Sequence, residues 1–187
     1  MLCKHLIGVM ALVVTTTVCA VEIEGVRLDD KASVGGQDLV LNGAGVRKRA
    51  IFKVYVGSLY VPAKSRSMQE VLANGPRRIQ LNILRNLSAD QLIGAVADGL
   101  KQNLPPGEMD AMAVPMGELA AIMKSFGEAK EGSVVTLDFV DGATLISLNG
   151  AARGTIDGVA FNEALTKIWI GEHPAQLDLK KALLGGA

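Results

Sequence analysis

Arg47, Lys48, Arg49 and Lys53 crowd the start of the segment RKRAIFKVYVGSLYVP, whose remaining residues have the composition of a buried β-strand. A cation placed there has two uses. It stays hydrated at a strand end, with its aliphatic stem along apolar neighbours, or it waits in a pocket for an anion. Lys48, Arg49 and Lys53 read as solvent-facing or paired. Other reactive groups are scarce. His173 lies between a helix break and Pro174, without a thiol or a positioned serine to build a triad. Met109, Met112, Met116 and Met123 read as gap-filling core. Asp141 is explained by turn chemistry beside Gly142.

The first twenty residues, MLCKHLIGVMALVVTTTVCA, have the order of a secretory signal peptide. Lys4 precedes an apolar run from Leu6 to Val14, and Ala20 offers a cleavage position. The run is too short for a span of about 20 residues. Bulky Val18 before Cys19 argues against a lipoprotein site. The expectation is residues 1–20 as a signal peptide and 21–187 as a single domain, exported to the periplasm, with no stable membrane span after cleavage. Cleavage removes Cys3, Cys19 and His5. No disulfide, cysteine nucleophile or Cys/His metal cluster is then expected, and no cofactor. Nineteen basic residues balance nineteen acidic ones, and only 4% are aromatic. Neither a nucleic-acid surface nor a polybasic membrane patch is expected from that composition.

The elements that must position these groups follow from periodicity. Val21–Leu28 reads as a short strand, DDKASVGGQ as a polar turn region, and DLVLNGAG as a second strand ending at its glycines. Ala50–Val61 is the strongest strand; its near-continuous apolarity predicts cover on both faces, and Pro62 stops it. Ser67 caps a short helix to Ala73. RRIQLNIL alternates Ile79, Leu81 and Ile83 with polar residues, the pattern of a half-buried strand. Ser88 and Gln91 form a capping box for a helix with Leu92, Ile93, Val96 and Leu100 on one face. A second helix starts near Pro115 and ends at Gly127. SVVTLDFV and ATLISLN form a hairpin over Asp141-Gly142, and GAARGTI adds a short strand. Asp157 caps a helix carrying Phe161, Leu165, Ile168 and Trp169; a final helix closes at Gly185. The order predicts an α+β fold: a largely antiparallel sheet with a helical layer on one face.

Two stretches give the chain a family likeness. LNGAGVRKRAIFKVYVGSLYVP resembles the Gly-Ala-Gly-x-Arg turn and long strand of the chalcone isomerase family, and KIWIGEHPAQLDLKKALLG is similar to its C-terminal Ile-Gly-x-x-Pro segment. The resemblance implies an open-faced β-sandwich, with the ligand between sheet and helices. The family holds isomerases that close chalcones and non-catalytic members that bind fatty acids. Matched to it, Arg47 stands where the isomerases keep an arginine for the substrate phenolate. Tyr55 stands at a threonine position, and Leu92, Gly99 and Ile168 replace polar groups of the catalytic constellation. The resemblance therefore implies Arg47 and Tyr55 as ligand-binding, Leu92, Gly99 and Ile168 as pocket-lining, and no catalytic residue. Ring closure needs donors that steady a developing enolate. These three side chains donate nothing. One guanidinium and hydrocarbon walls suit a small amphipathic ligand such as a fatty acid. An arginine fork meets a carboxylate with two parallel hydrogen bonds. The alternative is an intramolecular lyase of the chalcone–flavanone isomerase type. If Arg47 and Tyr55 share one continuous strand, eight residues apart, they point to one face.

Overall fold

The computed structural model describes residues 21–186; the signal-peptide expectation at residues 1–20 lies outside them. The chain opens with a two-stranded ribbon, β1 (Val21–Ile23) and β2 (Val26–Leu28). β3 (Lys31–Val34) follows and pairs with β4 (Gln37–Arg49) across the two-residue turn Gly35-Gly36. The expected polar turn region is thus partly a strand, because Ala32 and Val34 alternate with Lys31 and Ser33. β4 also continues through its glycines instead of ending there. Residues 50 and 51 form the tip of a tight hairpin, and β5 runs from Phe52 to Val61.

Beyond β5 come α1 (Met68–Ala73), β6 (Arg77–Ile83) and the short β7 (Leu87–Ser88). Ser67 accepts the Glu70 backbone N–H at the start of α1. α2 (Ala89–Asn103) begins with the reciprocal Ser88–Gln91 capping box, and α3 (Ala113–Phe126) ends at Gly127. β8 (Glu128–Ala129) pairs with β7. β9 (Val134–Val140), β10 (Ala143–Leu148) and β11 (Ala151–Asp157) form an antiparallel meander. Asp141 and Gly142 both have positive φ, the conformation a two-residue hairpin of matching twist requires. α4 (Val159–Ile170) and α5 (Leu177–Leu183) end the fold. Asp157 does not cap α4: it closes β11, and Gly158 occupies the cap position without a side-chain bond.

The main sheet is wholly antiparallel, in the order β11-β10-β9-β6-β5-β4-β3. One face carries the helices. Leu59, Ile79, Leu137 and Ile146 form a continuous row across it and belong to a core shared with α2, α3, α4 and α5. The other face holds a smaller cluster, with Val56 and Tyr60 of β5 packed near Leu28, Leu39 and Leu41. β5 is therefore covered on both faces, as its apolar run predicts. Arg77 extends the alternation of β6 inward, where it is 4% exposed. Its guanidinium stacks on Phe139 and donates to Thr166 Oγ1 and to the Asn162 side chain, strapping α4 to the sheet. Burial pushes its pKa down to about 10.

Candidate ligand site

Two bulges decide which side chains meet. Leu41 pairs with Tyr60 and Gly43 with Leu59, so Asn42 is an extra residue on β4. A bulge reverses the parity of everything after it. Leu39 and Leu41 consequently face the smaller cluster, whereas Gly43, Gly45 and Arg47 face the helices. The second bulge leaves Val54 unmatched between Tyr55 and Lys53.

Arg47 and Tyr55 are direct cross-strand partners. They do not share one continuous strand; the hairpin at residues 50 and 51 separates them. Opposed residues of an antiparallel pair point to the same face, so the two side chains still meet on the helical side. Tyr55 is 9% exposed, and its hydroxyl accepts the Trp169 indole N–H at 3.0 Å. Burial raises its pKa above the ordinary value, opposed by the Trp169 bond and then by the Arg47 charge and N–H groups. Arg47 is half-buried. It donates to the Lys48 carbonyl and to Gln176 Oε1. Among the described residues no carboxylate lies within ion-pair distance of it.

The two stretches that carry the family likeness lie against each other. Gln176, just before α5, accepts the Lys48 backbone N–H at 2.8 Å and donates to the Val46 carbonyl at 3.3 Å. Asn42 donates to the Leu183 and Ser65 carbonyls, at 2.7 and 2.9 Å. Between these clamps α5 lies directly on glycine. A Cβ on Gly43 would meet the Ala182 carbonyl oxygen at 2.0 Å, and one on Gly45 would meet Ala182 Cβ at 2.8 Å. The Gly-Ala-Gly motif is thus the floor for the last helix and not a turn. Leu179 reaches over Gly57, beside the Tyr55 ring.

Gly99 of α2 and Ile168 of α4 also meet. A Cβ on Gly99 would fall 2.8 Å from Ile168 Cγ2, so the glycine permits close helix packing there. Leu92 is half-buried against the same core that contains Tyr55 and Ile168. Two concavities lie elsewhere. One of about 200 Å³ borders Arg77, Phe139, Asn162 and Glu163; an open groove of about 610 Å³ follows α5 past Leu177, Lys180 and Lys181. Neither is lined by Arg47 or Tyr55. Neither Gln176 nor Asn42 carries a local sequence signal: Gln176 acts on Lys48, 128 positions away, and Asn42 on Ser65 and Leu183, 23 and 141 positions away.

The family model described as chalcone isomerase-like matches residues 20–185. The chain belongs to the chalcone isomerase-like family. Among solved structures, a fatty-acid binding protein of Arabidopsis thaliana is similar, with 16% identity and a TM-score of 0.66 over 88% of this chain and 95% of that one. At that identity the likeness is one of fold. No curated protein matches. In this chalcone isomerase-like chain, the Arg47–Tyr55 pair faces the helical side of the sheet.

Proposed function

We propose that the protein is a non-catalytic binder of a fatty acid or similar amphipathic carboxylate, with Arg47 and Tyr55 meeting the head group. The observation that carries this reading is their cross-strand pairing: a guanidinium that has no carboxylate partner among the described residues beside a buried hydroxyl, at the edge of an apolar core. Leu92, Gly99 and Ile168 bring no side-chain donor to that core, which disfavours steadying an enolate. The similar fold of the Arabidopsis thaliana fatty-acid binding protein supports the same direction. Trp169 and Leu179 pack around Tyr55, so an acyl chain enters as side chains of α4 and α5 yield to it.

Native mass spectrometry of the purified protein should show acyl ligands. Displacement of a fluorescent fatty acid measures the head-group contribution. A charge-assisted hydrogen bond contributes about 1.5–3 kcal/mol, so Arg47→Ala should weaken carboxylate binding roughly tenfold to a hundredfold. Equal affinity for the variant rejects the reading. The isomerase alternative is decided by chalcone absorbance: consumption above the spontaneous rate, lost in Arg47→Ala, establishes it instead. Export is part of the same proposal. Mass measurement of the protein recovered from its producing cells should give a chain beginning at Val21.

A further inference from the structure

Beyond Arg47, the cations at the head of the long strand, Lys48, Arg49 and Lys53, stay at the surface. Residues 48–53 are all exposed and form the tip of the β4–β5 hairpin. At that tip Ile51 is 88% exposed and Phe52 53% exposed. Scattered apolar residues on a surface need no explanation, but these two are adjacent and ringed by positive charge. Lys48 and Arg49 precede them, Lys53 follows, and the Arg85 guanidinium stacks on the Phe52 ring at 4.7 Å. Acidic groups nearby are fewer. Glu24 pairs with Lys53 at 2.6 Å, Glu128 accepts from Asn86, the neighbour of Arg85, and the Glu131 backbone N–H donates to the same Asn86 side chain. Lys48, Arg49, Lys53 and Arg85 thus outnumber the acidic groups at this end, although the chain as a whole is neutral.

We propose that this hairpin tip docks on the surface of a bilayer containing anionic phospholipid. Ile51 and Phe52 enter the boundary between head groups and acyl chains, while Lys48, Arg49 and Arg85 meet the phosphates. Apolar insertion and attraction to anionic lipid add in such elements, and each basic residue held near the surface strengthens binding. Two apolar side chains alone hold weakly, so the docking is reversible and salt-sensitive. The proposal stands on the tip itself and holds whatever the Arg47–Tyr55 pair binds.

Hydrogen–deuterium exchange on the full chain gives a local readout, independent of any hold the N-terminal apolar run has on lipid. Vesicles of phosphatidylcholine with about one-third phosphatidylglycerol should slow exchange across residues 48–53 severalfold. Vesicles of phosphatidylcholine alone should not, and salt at about 0.5 M should reverse the slowing. The double variants Ile51→Ser/Phe52→Ser and Lys48→Glu/Arg49→Glu, whose changes are all at exposed positions, should each lose the protection. In flotation the charge-reversed variant should show at least a tenfold smaller lipid-dependent increment on anionic vesicles. Unchanged exchange at the tip on anionic vesicles overturns the proposal. So does equal slowing on neutral vesicles, or slowing that rises with protein concentration without lipid, which marks a second copy as the occupant.

Discussion

Tyr55 depends on two neighbours of different kinds. Trp169 donates to its hydroxyl from the helical layer, and Arg47 adds positive charge from the facing strand. Trp169→Phe keeps most of the ring volume but leaves the hydroxyl without that donor. A loss of about 1–2 kcal/mol in chemical denaturation is expected. The Trp169 bond also favours the ionised phenol, so its removal should raise the Tyr55 pKa further, read by phenolate absorbance. The pH dependence has a definite sign. Because the folded state holds the Tyr55 proton more tightly than the unfolded chain, the contribution to stability is full below the unfolded value of about 10 and is lost as pH rises through the higher folded value. A variant Tyr55→Phe should flatten that decline in melts carried above pH 10.

At the scale of elements, glycine sets how closely the layers approach. Gly43, Gly45 and Gly57 form the floor on which α5 lies, and Gly99 admits Ile168 between α2 and α4. Substitution Gly99→Ala should destabilise the protein by about 1–3 kcal/mol through overpacking. Ile168→Ala costs about 2–5 kcal/mol by leaving a cavity. Since the added methyl occupies part of that cavity, the double variant should cost less than the sum, and a double-mutant cycle in denaturant measures the difference. Additive losses would mean that the two residues do not touch. Most elements were legible beforehand because their signals are local. The Ser88–Gln91 box, the Asp141-Gly142 turn and the alternation in β6 each depend on a few consecutive residues. β3 was missed because Lys31 and Ser33 give it a polar look, although its alternation is regular.

Across the whole molecule, a seven-stranded antiparallel sheet lets the last helix, α5, seal the strands β4 and β5 from the first third of the chain. Among the described residues no helix is long and apolar enough to cross a membrane. The salt-sensitive vesicle docking expected of residues 48–53 is a property at this scale, because it depends on where the fold places charge that sums to zero overall. The sequence by itself determined the α+β class, the helical layer, the burial of β5 on both faces and the family to which the chain belongs. Those follow from periodicity, caps and motif, which depend on neighbours along the chain. Only the tertiary structure decided that Arg47 meets Tyr55 across a hairpin, that the Gly-Ala-Gly motif supports a helix, and that the remaining cations surround an exposed tip. The bulge at Asn42 turns the second half of β4 over to the helical face, and that bulge is held by bonds to Ser65 and Leu183. Parity along a strand reads from local sequence; its reversal is set by partners that only folding brings near.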